Sequence, residues 1–223
     1  MNSISVLFLL LFSSILFSQK FSDQLNTDFE NEVCDCLGHS PEQSLNTVGQ
    51  CIDNWTNKYG SKFTEYIDFN SKTDPQKQFN KIATEFIRQN RENLIINCEG
   101  VSNILETLRT QLFESDKKNY ETFDINKLNE IVETDQSTES LLTRAKYYFY
   151  HSDFDKAETD FREILKTNPE DQKAIYFLGR IYESQKNYQK AIDLYQQLVE
   201  ITRDETYLND IYLVKRKMNP LKN

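Results

Sequence analysis

The chain has 223 residues, 38% hydrophobic and 27% charged, with a formal net charge of −9. That length can bury a substantial core in one or two domains. The acidic balance excludes an extended nucleic-acid surface, because phosphate binding needs clustered Lys and Arg.

Only 5 glycines and 4 prolines interrupt long hydrophobic periodicities, which predicts an all-α protein. Ile4 to Phe17 is an apolar run broken only by serines. It is too short to span a bilayer comfortably and has the length of a signal-peptide core. Residues 1–18 are therefore read as an export signal, with Gln19 as the first mature residue and an uncleaved anchor as the rival reading.

Residues 19–113 read as a helical, cysteine-containing domain. Phe21, Leu25, Phe29, Val33 and Leu37 recur every fourth position and share one helix face, which Gly38 can end. Ser40-Pro41-Glu42-Gln43 carries a start signal: serine as N-cap, proline at the first helical position, glutamine three residues after the cap. Its buried stripe would be Leu45, Val48, Ile52, Trp55 and Tyr59, stopped by Gly60. Within it, Asn54-Trp55-Thr56 is a glycosylation sequon that a helix burying Trp55 explains better. Lys62 to Phe69 predicts a short helix. Asp74-Pro75 opens a longer one, with Phe79, Ile82, Phe86, Ile87 and Ile95 inward. Gly100 is expected to break it, and Val101, Leu105, Leu108 and Leu112 mark a final helix.

All four cysteines, Cys34, Cys36, Cys51 and Cys98, fall in this domain, and an even number in an exported chain points to disulfides. On one helix, Cys34 and Cys36 diverge by about 200°. They are poorly placed to bond each other, so each should reach a different helix, one holding Cys51 and the other Cys98. The pairing stays open. Competing readings are a metal site or redox dithiol built from Cys34, Cys36 and His39. The spacing is neither a paired C-x-x-C zinc arrangement nor the C-x-x-C of a thioredoxin-like site.

Glu114 to Asn119 is mostly charged and polar, and a domain boundary is placed there. Residues 114–137 read as a linker or degenerate repeat, since Tyr120 lies one period before Phe154 and Ile125 to Glu133 could be the remnant of a hairpin. From residue 138 to 204 one pattern is written twice at a 34-residue spacing: Ala145 and Gly179, Tyr148 and Tyr182, Phe154 and Tyr188, Ala157 and Ala191, Phe161 and Tyr195. A fixed period of this kind marks stacked helical hairpins. Small residues let paired helices approach, and the large aromatics fill the space beside them. Asn168-Pro169 closes the first unit. Residues 205–223 supply a capping helix and tail, with Tyr207, Leu208, Ile211, Tyr212 and Val214 as its apolar surface. Its basic end, Lys215-Arg216-Lys217, complements the helix dipole.

The two units resemble tetratricopeptide repeats (TPRs). One residue set runs through Leu141, Ala145, Tyr148, Phe154, Ala157, Phe161, Ile164 and Pro169. The other runs through Ile175, Leu178, Gly179, Tyr182, Tyr188, Ala191, Tyr195 and Leu198. The second keeps the family's Leu-Gly pair at Leu178-Gly179. The first departs at Arg144, where leucine is usual, and the second ends at Arg203 where proline is usual. With the helical N-terminal bundle read from its stripes, the resemblance implies that a short TPR-like α-solenoid follows it.

It also implies a concave groove lined by the first helix of each hairpin, with Leu142, Lys146, Phe149, Tyr150, Tyr176, Arg180 and Glu183 as partner-binding residues. Aromatics beside Lys146 and Arg180 suit a peptide with acidic and apolar groups; the competing role for Phe149 and Tyr150 is packing against a preceding hairpin. The paired Lys and Asn of a carboxylate clamp are not evident. No phosphate loop, H-E-x-x-H, G-x-S-x-G or dinucleotide fingerprint is present. His151, at the end of a repeat helix, suits the last carbonyls. The reading is an exported adaptor without catalysis or cofactor, resembling small TPR proteins of the Gram-negative periplasm. It would bind a protein or peptide partner, with no nucleic acid and no membrane span after signal cleavage. The alternatives are the metal- or thiol-based envelope protein and a membrane-tethered assembly factor.

Overall fold

A computed structural model describes residues 21–40 and 42–220; the export signal expected over residues 1–18 lies outside them, as does Pro41. Among the described residues the secondary structure is helical throughout. Helix α1 (Asp23–Gly38) starts where the Ser22 hydroxyl accepts the Leu25 N–H at 3.2 Å, and its fourfold stripe is buried as the spacing requires.

Helix α2 (Leu45–Tyr59) begins later than the Ser40-Pro41 signal suggested. Ser40 Oγ donates to Cys36 O at 2.8 Å and Gln43 Nε2 to Leu37 O at 2.7 Å. The segment thus satisfies the orphan carbonyls of α1 instead of opening a new helix. Ser44 caps α2 by accepting the Thr47 N–H at 3.2 Å. Leu45, now in the first turn, is 54% exposed and leaves the expected stripe. A 3₁₀ helix over Gly60–Tyr66 replaces the predicted helix over Lys62 to Phe69, and buries Phe63.

Helix α3 (Pro75–Asn97) is capped by Asp74, with proline in its first turn. Trp55 of α2 stacks on Phe86 of α3 at 5.2 Å, and Phe29 of α1 meets Phe86 edge-on at 5.0 Å. Such ring pairs contribute roughly 0.5–1.5 kcal/mol each beyond their burial.

Two disulfides staple this bundle: Cys34–Cys98 and Cys36–Cys51, with Cα atoms 5.5 and 5.8 Å apart. Cys36 reaches α2, while Cys34 reaches Cys98 in the junction after the third helix, so the two do go to different parts of the bundle as expected. The pairing removes the thiolates that a metal or redox site with His39 would need. His39 itself closes α1, its Nδ1 2.7 Å from Asp35 O. The break after α3 sits at Cys98, in extended conformation (ψ 106°), and not at Gly100, which lies in the first turn of α4 (Glu99–Lys118).

Helix α4 runs through the boundary placed at Phe113–Glu114. No Gly or Pro occurs between Val101 and Lys118, so a polar composition alone did not stop it. Helix α5 (Ile125–Thr134) follows, burying Leu128 and Val132.

The repeats form two hairpins: α6 (Thr138–Tyr150) with α7 (Phe154–Thr167), and α8 (Gln172–Ser184) with α9 (Tyr188–Thr202). Ala145, Ala157 and Ala191 are fully buried. Both turns use a left-handed residue at equivalent positions, Ser152 (φ 61°) and Lys186 (φ 59°). Arg144, the departure from the leucine pattern, is matched by a compensating acid: its Nε and Nη2 donate to Asp160 at 2.8 and 2.7 Å.

Helix α10 (Tyr207–Met218) caps α9, but it is also a strut. Leu213 joins the core of the N-terminal bundle, and Lys215 Nζ donates to Glu92 of α3 at 2.6 Å. The basic end of α10 therefore ties the two halves together, beyond complementing its own dipole.

A Cβ added at Gly179 would lie 2.6 Å from the Tyr195 ring. Gly179→Ala is expected to lower stability by roughly 1–3 kcal/mol through overpacking, read as a drop in Tm by circular dichroism. An unchanged Tm would mean that α8 and α9 do not depend on that close approach.

Candidate interaction face

The first helices α6 and α8 make one wall, and each sequence-assigned site residue lies on it. Lys146 and Arg180 occupy equivalent positions on the two helices, as do Leu142 and Tyr176. The expectation of an open inner face is corrected: α4 crosses it. Phe113 of α4 packs 5.7 Å from the Phe149 ring and 5.1 Å from the Tyr150 ring. The Tyr150 hydroxyl donates to Asp116 Oδ2 at 3.1 Å, and burial beside that carboxylate pushes the phenol pKa up. Phe149 and Tyr150 thus pack against a preceding helix of the same chain. Leu142 is buried in the core of the first hairpin.

Glu183 is the most connected of the assigned residues. Arg109 of α4 donates to it in a fork, Nη1 to Oε1 at 3.1 Å and Nη2 to Oε2 at 2.6 Å. Lys217 of α10 donates to Oε1 at 2.6 Å, and the Tyr195 hydroxyl of α9 donates to Oε2 at 3.1 Å. One carboxylate therefore joins α4, α8, α9 and α10. Burial pushes the Glu183 carboxyl up, but the Arg109 guanidinium and then the Lys217 ammonium outweigh it, lowering the pKa from 4.5 to about 2. Asp210 of α10, 3.2 Å from Arg109 Nε, goes the other way: its burial outweighs the pull of Arg109 and Arg180 and raises it. This cluster was missed in sequence because Arg109 and Asp210 lie on different helices far apart in the chain. The only hint was their polarity inside otherwise apolar stripes.

Three assigned residues keep an exposed edge. Lys146 is half-buried, its ammonium 5.1 Å from the Phe177 ring and 5.8 Å from that of Tyr120. Desolvation lowers its pKa, and it forms no ion pair among the described residues. Tyr176 is half-buried, its ring 6.2 Å from that of Tyr207. Arg180 has a 3.3 Å hydrogen bond to the Tyr176 hydroxyl and only a long 3.9 Å approach to Glu183. Between α4 and the wall remains a small cavity of about 70 Å³, lined in part by Phe113, Tyr176 and Arg180. A wider cleft of about 320 Å³ opens beside it, where Leu108 and Leu112 of α4 face Tyr176 and Tyr207. These walls can hold apolar and anionic groups. The two histidines do not contribute: His39 ends α1, and the His151 Nδ1 lies 2.8 Å from Tyr147 O at the end of α6.

Paired antiparallel helices at a fixed period, with an Ala/Gly seam and no strand among the described residues, define an α-helical repeat protein. By comparison, residues 142–206 match the tetratricopeptide repeat model, so that segment carries TPR units. A curated relative, DnaJ homolog subfamily C member 3 of Gallus gallus, is 36% identical over 76 residues. That stretch covers 33% of this chain and 15% of the relative. No solved structure gives a significant match. A TPR segment indicates a protein–protein interaction module. No helix among the described residues is long and apolar enough to cross a membrane.

Glu183 has a lowered pKa, so its stabilising charge is fully present above its ordinary 4.5 and is lost as pH falls toward about 2. Glu183→Gln is expected to cost roughly 3 kcal/mol at neutral pH, the penalty for removing the forked partner of the buried Arg109 guanidinium, which keeps only Asp210 and a longer approach to Glu106. In denaturant melts the gap between variant and parent should close as pH falls through that window. A gap independent of pH would show that charge is not what Glu183 contributes.

Proposed function

We propose that the protein is a non-catalytic adaptor of the cell envelope that docks a protein partner on the wall formed by α6 and α8. The observation that carries this reading is Lys146. It is half-desolvated between two aromatic rings and holds no ion pair among the described residues. A buried cation without a carboxylate is unfavourable until a ligand brings one. Arg180, at the equivalent position on α8, offers a second cation with only a distant acid, and Tyr176 supplies the aromatic edge beside it. The favoured partner segment is therefore acidic with apolar side chains. Leu142, Phe149, Tyr150 and Glu183 complete the wall beneath α4.

Two features support export to an oxidising compartment such as the periplasm. All four cysteines pair within the chain at disulfide distance, and the apolar run at residues 4–17 has the length of a signal core. Without free thiolates the metal or thiol-redox alternative has little to work with while the bonds stay oxidised.

Affinity capture and crosslinking from the native envelope test the proposal. Lys146→Glu and Tyr176→Ala should each weaken partner capture at least tenfold, which corresponds to about 1.4 kcal/mol, with the melting temperature little changed. Capture by the parent should fall as salt is raised, because the contact is between charges. Identical partner recovery with Lys146→Glu and the parent would overturn the docking wall.

A further inference from the structure

The occupant of the wall is itself informative, because the chain shows there what kind of segment the wall accepts. Three side chains of α4 do the docking. Arg109 forks onto Glu183 of α8, Phe113 lies between Phe149 and Tyr150 of α6, and Asp116 accepts the Tyr150 hydroxyl. They stand at i, i+4 and i+7, so they form one stripe along one helix face. Asp116 is also the carboxylate whose field reaches Lys146. The stripe reads cation, aromatic, carboxylate along α4, and the wall answers with Glu183, the Phe149–Tyr150 rings and the Tyr150 hydroxyl.

The hold is side-chain deep. The buried residues of α4 are Val101, Ser102 and Ile104, all in the half that packs on the N-terminal bundle. From Arg109 onward the helix has partly covered and exposed residues, Leu112 is 68% exposed, and the cavity of about 70 Å³ separates it from the wall. Beyond Ile104 the helix meets the wall through one partly covered apolar side chain, Phe113, and through the Arg109–Glu183 pair, so its docking rests mainly on charge and ring contacts that a second segment with the same groups can supply. Its release leaves the N-terminal anchor intact, because Cys98, just before its first residue, is bonded to Cys34.

We infer that the C-terminal half of α4 is a resident ligand of the repeat wall, and that the partner binds as a helix presenting the same cation–aromatic–carboxylate stripe and displacing it. This rests on the interaction reading above and names the partner class and the regulation of the same surface. The partner's apparent affinity is reduced by the fraction of molecules in which α4 is docked, so weakening α4 should strengthen binding of an external helix.

The test uses a synthetic peptide of residues 99–118 as the probe, with the full-length protein as receptor. Binding by fluorescence anisotropy should be at least tenfold tighter to the Arg109→Glu protein than to the parent. A peptide carrying Arg109→Glu should bind neither. Equal binding of the native peptide to both proteins, or equal binding of the two peptides, overturns the inference. Hydrogen exchange on the parent decides independently should Arg109→Glu fail to fold. Amides of residues 109–118 should exchange at least tenfold faster than those of α8, and protection equal to α8 would overturn a displaceable helix. If the peptide fails while Lys146→Glu still abolishes partner capture, the helical template is wrong and the docking wall stands. If capture is also unaffected, both fall.

Discussion

The Glu183 carboxylate is the contact on which the arrangement of the two halves depends. It projects from the second repeat and takes hydrogen bonds from Arg109 of the N-terminal bundle, Lys217 of the last helix and Tyr195 of its own hairpin. A buried acid of this kind is tolerable only when its charge is met on several sides, since desolvation alone would neutralise it. Its low pKa records that the cations outweigh burial. Arg109 supplies the forked, buried half of that compensation, and Lys217 supplies the other half from the solvent edge.

Around that contact the chain is closed on itself by two devices of different chemistry. Helix α10 sits at the end of the repeats and ties the halves through Leu213 in the first core, with Lys215 on Glu92 beside it. Helix α4 crosses the repeat wall through Arg109, Phe113 and Asp116, a polar and aromatic tie. The first kind depends on excluded water and is hard to reverse locally. The second is directional, and on the inference above it is exchangeable for another segment with the same groups. The difference is what the inferred displacement of α4 would exploit, a firm joint at one edge of the wall and a replaceable cover across it.

The disulfides have a bearing on this division. Cys34–Cys98 and Cys36–Cys51 hold α1 to the α3–α4 junction and to α2. They restrict the unfolded chain without reaching the wall, contributing about 2–4 kcal/mol each. The disulfide staples thus lie in a different part of the molecule from the proposed docking wall. The bundle can be rigid while the distal half of α4 remains weakly docked.

The fixed spacing through Ala145, Ala157, Gly179 and Ala191 determined the hairpins from sequence alone, because small residues at a helix crossing act through local periodicity. The stripe of α1, the divergence of Cys34 and Cys36, and the proline-led start of α3 were legible for the same reason: each is a relation within one helix. The start of α2, the run of α4 past Phe113 and the exposure of Leu45 and Leu112 were not. Ser40 and Gln43 had a competing use at the end of α1, and a polar stretch without Gly or Pro continues as a helix when a neighbour receives its side chains. Most of all, the fate of the wall was a tertiary decision. Leu142, Lys146, Phe149, Tyr150, Tyr176, Arg180 and Glu183 could be assigned to one face by their register, but only the folded chain brought Arg109 to Glu183 and Phe113 to Tyr150. Those partners are separated by tens of residues, and nothing in a local period encodes which distant helix will carry the matching charge.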